Sequence, residues 1–304
     1  MDEEIEEYDY ETAKEVGRVS YEALQHGKGL IKEGAKLLDI AKGIEGFITD
    51  KGFGLAFPAN ISINENAAHY TPSATDTTEV PAGAVVKVDV GARREEYLGD
   101  CALTVDLSGK YQKMVEASEK ALEAAVGMVR AGRKVNEIGR EIEGIAKKHG
   151  VEPIRNLGGH GVERHDLHAG VFIPNYDNGD TTELEEGSVI AIEPFMTDGE
   201  GFVIEGTGIE IFQKTGEARL RSQDARAVAD VINGKYSTYP FAARWLDAEF
   251  QDYGEFRIRK ALTELSYAGA LETFPVLVER KKGIVAQAEA EMIVEKDSCT
   301  VITR

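Results

Sequence analysis

Two stretches of this chain repeat each other, and that repeat constrains the fold more than any other feature. Shifting residues 9–52 by 98 positions lays Ala23, Leu24, Gly34, Lys36, Ile40, Ile44, Glu45, Gly46 and Gly52 on identical residues. Their partners are Ala121, Leu122, Gly132, Lys134, Ile138, Ile142, Glu143, Gly144 and Gly150. With a small change of offset, Gly83-Ala-Val-Val-Lys-Val-Asp89 lines up with Gly187-Ser-Val-Ile-Ala-Ile-Glu193. Chance explains one such match; two in the same order mark an internal duplication. Solenoids need three or more units, so the expectation is two pseudo-symmetric halves. Apolar periodicity makes each half a helix pair, over 9–27 and 36–51 and again over 111–130 and 134–149, followed by strands. The chain has 304 residues, 42% of them hydrophobic, enough for one large core or two modest ones.

The duplication makes a chemical statement, because Glu193 becomes the counterpart of Asp89. Each is a carboxylate ending a buried apolar strand. Asp89 also belongs to Val85–Val105, where two β-branched runs flank a charged segment and read as a hairpin. A turn centred on Arg94-Glu95 sets Asp89 directly opposite Asp100. Facing like charges inside apolar strands cost stability unless a cation lies between them. A different register would leave one Asp as a solvated rim residue, and this stretch alone leaves both alternatives open.

Between the two carboxylate strands lies NLGGHGVERHDLHAG, which holds three of the six histidines. Gly158, Gly159 and Gly161 would let the backbone take unusual angles and aim the His160 ring. His165, between Arg164 and Asp166, reads as surface. His69 follows the alternating stretch Phe57 to Ile63 and precedes a turn. From about Ala218 to Phe274 the rhythm changes to three helical segments (222–234, 240–250, 255–269), read as an insertion in the second half. The closing strands alternate, placing Gln287, Glu289 and Glu291 on one face. Acids there are either solvated or ligands, and Glu291 is expected to face solvent.

Collected, Asp89, Asp100, His160, Glu193 and Glu289 suit a pair of hard-to-borderline divalent ions. Such a pair can deprotonate a water and polarise a carbonyl together. No serine elbow, phosphate-binding loop or HExxH is present. The net charge of −19 argues against a nucleic-acid or anionic-membrane surface, and the insertion's basic residues are matched by acids. The acidity fits a saline cytoplasm and a well-solvated surface equally. No apolar run reaches membrane-spanning length. The acidic opening MDEEIEEYDYE does not read as a signal peptide, and two cysteines, Cys101 and Cys299, fit a reduced cytoplasm.

These motifs resemble the type II methionine aminopeptidases, archaeal in style. The likeness is carried by AFPANISINENAAHYTP, VDVG with Asp100 eleven residues after Asp89, NLGGHGVERHDLHAG, IEPF and AQAE, and spans essentially the whole chain. The resemblance implies an α+β pita-bread fold with pseudo-two-fold internal duplication. Residues 1–217 and 275–304 would form the catalytic domain and 218–274 a helical, winged-helix-like insertion. It implies two divalent ions per chain (cobalt, manganese, iron or zinc). Asp89 would chelate one, Asp100 and Glu289 would bridge both, and His160 and Glu193 would complete the coordination of the second metal. Glu193 is also the candidate general base, in a reaction where a metal-bridging hydroxide attacks the scissile carbonyl. His69 and His168 would contact the scissile peptide and stabilise the tetrahedral intermediate. Phe57, Leu167, His168 and Phe274 would line the methionine pocket.

The implied substrates are nascent polypeptides whose methionine is followed by a small residue. The implied setting is a cytoplasmic monomer without membrane or nucleic-acid partners, with transient ribosome association left open. The opening residues start close to the catalytic domain, without the long basic extension of eukaryotic type II enzymes. One departure stands out. The family reads QFEHT around the last ligand, where this chain has Gln287-Ala288-Glu289-Ala290-Glu291. Altered support beside a ligand commonly weakens metal affinity by about 10–100-fold. Two other readings are a non-catalytic relative serving as a scaffold, and a proline-directed peptidase of the same fold. The second generally carries an extra N-terminal domain and lacks the insertion.

Overall fold

The repeat folds as two matching halves, down to individual hydrogen bonds. The structure, a computed structural model, describes residues 8–304. The first seven residues, which carry most of the acidic opening segment, lie outside the described residues. In the first half, α1 (Tyr10–Leu30) and α2 (Leu37–Asp50) pack on a sheet of Asn60–Ile63, Val85–Val90 and Cys101–Asp106. In the second, α3 (Gln112–Val126) and α4 (Val135–His149) cover a sheet of five strands, among them Gly158–Glu163, Val189–Ile192 and Ala290–Val294. The backbone of Lys36 forms an isolated antiparallel β-bridge with Glu79, and its repeat partner Lys134 forms one with Glu183. The Gly34 amide donates to Val80 and the Gly132 amide to Leu184 at 2.9 and 2.8 Å. Further on, Ala56 donates to Gly91 as Ile154 does to Phe195, at 3.0 and 2.9 Å.

Local chemistry sets the helix ends. The Asp9 carboxylate caps α1 by accepting from the amides of Glu11 and Thr12 at 3.0 and 3.2 Å. Helix α4 stops at Gly150, whose φ of +72° is the left-handed turn that favours glycine, just past a basic last turn. Each half keeps its own apolar core. Ala23, Ile40, Ile44 and Val88 belong to the first, and Ala121, Ile138, Ile142 and Ile192 to the second.

The halves are laced at a central seam. Thr104 Oγ1 donates to the Gln287 carbonyl at 2.7 Å and accepts the Gln287 amide at 2.8 Å, while the Glu289 amide donates to Ala102 at 3.0 Å. Buried Lys87 crosses the same seam, donating to the carbonyls of Asn64 and Val285 at 2.8 and 3.0 Å. Burial pushes its ammonium down to about 7.

Two long antiparallel strands, Val203–Lys214 and Leu271–Glu279, carry the segment between them away from the seam. That segment holds α5 (Gln223–Lys235), a 3₁₀ turn over Ala243–Ala248 and α6 (Gly254–Tyr267). They close on a separate apolar cluster that includes Val228, Phe241, Leu246 and Leu262, and draws in Phe212 and Leu271 from the two strands.

Candidate metal centre

Every carboxylate singled out from the sequence lies within or immediately beside a strand at the seam. Asp89 is the fifth residue of Val85–Val90, and Asp100 immediately precedes Cys101–Asp106. Glu193 follows Val189–Ile192, and Glu289 sits where the chain breaks between Val285–Gln287 and Ala290–Val294. The facing of Asp89 and Asp100 needs correction. Asp89 pairs with Ala102, because the turn lies one residue later than expected, at Glu95-Glu96, with Glu95 at φ +53°. The slip is two residues, an even number, so both carboxylates keep the same face and meet on the diagonal.

The glycines around His160 also act differently from expectation. None of Gly158, Gly159 and Gly161 has a positive φ; all lie in the extended strand Gly158–Glu163. A side chain at Gly159 would meet the Ala191 carbonyl at 2.2 Å, and one at Gly161 the Ala169 carbonyl at 2.4 Å. They are glycines because backbones approach closely on both sides, and that approach seats the His160 ring. His165 is exposed, at the turn between the two histidine strands.

All ten singled-out residues line one cleft of about 70 Å³: Phe57, His69, Asp89, Asp100, His160, Leu167, His168, Glu193, Phe274 and Glu289. Asn60, Phe195, Ile211 and Pro240 join them, unforeseen from the sequence because each comes from a different strand or loop. Gln287 was also missed as a partner. Its Nε2 donates to Glu193 Oε2 and Glu289 Oε2 at 3.3 and 3.2 Å, and its place on the alternating face with Glu289 was the available signal.

Electrostatics makes this a site for cations. Burial first, and then the charge of Asp100, raises the carboxyls of Asp89, Glu193 and Glu289 well above the usual range. Asp100 is raised as well, by burial. The Asp89 Oδ1 is buried without a hydrogen-bond partner. Burial drives His160 down to about 4, so the ring is neutral near pH 7. Its Nδ1–H donates to the Gly161 carbonyl at 3.2 Å, which leaves a lone pair on Nε2 only 3.5 Å from Asp100 Oδ2. With its carboxyl raised to about 8, Asp100 keeps a proton between these two atoms near neutrality, and a divalent ion can take that proton's place. Asp100, His160 and Glu289 offer donor atoms that all lie within 4.8 Å of one another. Oxygen donors with one imidazole suit divalent ions of the manganese-to-zinc range.

Glu291 departs from expectation most. It is fully buried, not solvated, and its Oε2 accepts the Asp100 amide at 2.8 Å. Its carboxyl is raised by burial and then by Asp100, and Oε1 has no partner.

At the other end of the cleft, His69 is held at φ +63° and its Nδ1–H donates to the Pro275 carbonyl at 3.3 Å. Its ring meets Phe274 edge-on at 5.6 Å. His168 is exposed and lines the cleft, and its ring meets that of His160 edge-on at 4.5 Å. Burial drives His69 to about 4, with His168 a lesser cause. His168 also falls to about 4, through burial and then its neighbour His160.

Residues 11–220 match metallopeptidase family M24. A methionine aminopeptidase of Saccharolobus solfataricus is 41% identical over 289 residues, 95% of each chain. Among solved structures, a thermophilic Arx1 is similar with a TM-score of 0.84 at 17% identity, covering 97% of this chain and 91% of that one. The methionine aminopeptidase of Rickettsia prowazekii gives 0.69 at 20% identity, with 97% and 96% covered. At those identities the likeness to the two structures is one of fold.

Proposed function

The chain belongs to metallopeptidase family M24, with the type II methionine aminopeptidases of pita-bread fold, and we propose that Asp89, Asp100, His160, Glu193 and Glu289 hold two divalent ions for the removal of N-terminal methionine. One observation carries this reading. A buried set of four carboxyls, all raised because they cannot readily ionise together and one with an orphaned oxygen, faces the lone pair of a neutral imidazole. When bound, such ions supply acidification of water and polarisation of the scissile carbonyl. Cobalt, manganese, iron and zinc all suit the donor set.

The chain's own groups do the rest. Phe57, Leu167 and Phe274, with Ile211 and Pro240, form an apolar wall for an unbranched thioether side chain. The Pro275 contact makes Nδ1 the protonated nitrogen of His69, so Nε2 is an acceptor for a substrate N–H. Neutral His168 has a ring N–H to donate where negative charge develops on the carbonyl oxygen. Glu193, with one oxygen engaged by Gln287, would be kept ionised by the ions it helps to hold, and as a carboxylate would take a proton from water and return it to the leaving amine. Preference for a small residue after methionine, and action on nascent chains in the cytoplasm, belong to the same reading. So does the treatment of 218–274 as an insertion domain. Among the described residues no helix is long and apolar enough to cross a membrane.

The test is direct. Chelated protein, reconstituted with each metal in turn, is assayed on Met-Gly-Met-Met and on Xaa-Pro peptides. Metal-dependent methionine release is expected from the first alone; none with any metal would sink the proposal. The buried Glu291 adds a second expectation. Glu291→Ala leaves the Asp100 amide without its acceptor and should weaken divalent-ion binding by about tenfold in titration calorimetry. Glu291→Gln keeps an acceptor and should bind as the parent does.

A further inference from the structure

The loop that carries His69 is held from an unexpected direction. His69 sits in left-handed backbone without being glycine, a conformation that persists only where its surroundings over-determine it. Two residues on, Thr71 Oγ1 and the Pro72 carbonyl both accept from Arg244 Nη1, at 2.7 and 3.0 Å. Arg244 lies in the 3₁₀ turn of the 218–274 segment, and is buried. Its other terminal nitrogen pairs with Glu45 of α2, which also accepts from Trp245 Nε1 at 3.1 Å and from the Ala59 amide at 3.3 Å. Thr71 Oγ1 closes the ring by donating to the Ala59 carbonyl at 2.8 Å. The planar fork of an arginine spans acceptors in these two directions, which a lysine ammonium on a single axis does not. From the far side, Pro275 holds the His69 ring just past the same segment.

We propose that Arg244 is a positioning residue through which the 218–274 segment holds the His69 loop, and with it the His69 ring, in place for catalysis. The proposal rests on the reading of His69 as a group that touches substrate. It also gives the segment a part in the reaction beyond lining the cleft at Pro240.

The test uses the metal-loaded, full-length protein with Arg244→Lys and Thr71→Val, neither of which leaves Glu45 without a cation. Both are expected to lower kcat by about tenfold or more, because small misplacements of a catalytic group are costly. KM and divalent-ion affinity should change little, since the ligands are untouched. Introduced into His69→Ala, the same changes should cause no further loss. In ¹⁵N-histidine spectra, the His69 Nδ1–H signal should broaden or shift in both variants. A purely structural Arg244 would lower Tm while leaving kcat per folded molecule unchanged, or would cost as much in His69→Ala as in the parent; either result overturns the proposal. If His69→Ala itself leaves kcat intact, the substrate role of His69 fails instead, and an unmoved His69 signal then rejects the positioning role independently.

Discussion

Asp100→Ala is expected to abolish methionine release, by about 10³-fold or more in kcat, while leaving the metal-free fold intact or more stable. The direction of the stability effect is the informative part. Removing a buried polar group from a core normally destabilises, because its partners lose their hydrogen bonds. Asp100 instead sits among Asp89, Glu193, Glu289 and Glu291, and its charge raises the carboxyls of all four. Its loss relieves that repulsion wherever Asp100 is ionised, so the gain grows as pH rises through its raised value of about 8. The loaded protein should behave in the opposite way, losing affinity by about 100-fold or more as the Asp100, His160 and Glu289 donor set is broken. Elemental analysis, kcat, and Tm with and without metal separate the two effects. A metal-free Tm that drops as for a core deletion would make Asp100 a structural residue.

Stabilisation by a divalent ion should grow steeply with pH. The carboxyls of Asp89, Asp100, Glu193 and Glu289 are raised in the folded protein, so near neutrality it holds protons there that the unfolded chain has shed. In the metal-free protein that stability is complete below the ordinary carboxylate range and is lost as pH rises through the raised values. A bound ion must displace those protons, so its affinity rises about tenfold per pH unit for each proton displaced. Each such step corresponds to about 1.4 kcal/mol, or roughly 2 °C in Tm for a chain of this length. His69, His160 and His168, lowered to about 4, stay neutral between pH 6 and 8 and contribute no slope in the folded protein. The shifts of Lys87 and of the unfolded chain are common to both forms and cancel. Tm measured with and without manganese at pH 6, 7 and 8 is the check. A gain that is flat across that range would mean the ligands are already ionised, contrary to the geometry.

Much of this was legible in the sequence. The repeat specified two matching halves, and local period placed all four main helices to within a few residues at their ends. Residue type and spacing singled out Asp89, Asp100, His160, Glu193 and Glu289, which the structure gathers in one cleft, whereas Phe57, Leu167 and Phe274 were named only through the family resemblance. The failures share a cause. The two-residue slip that moved Asp89 from Asp100 to Ala102 is invisible to alternation, since an even shift leaves every side chain on its face. Alternation likewise put Glu291 beside Gln287 and Glu289, but whether that face met water depended on the seam that brings Asp100 against it. Glycines near His160 look the same in sequence whether they serve left-handed turns or close strands, and only the Ala191 and Ala169 carbonyls distinguish the two.

By itself, then, the sequence determined the two halves and the residue types of the candidate donor set, because both are written in local spacing and residue type. Only the tertiary structure decided the register of the Asp pair, the burial of Glu291 and the reach of Arg244 to Glu45 across 199 positions. Those are long-range contacts between elements, and they leave no period in the chain that forms them.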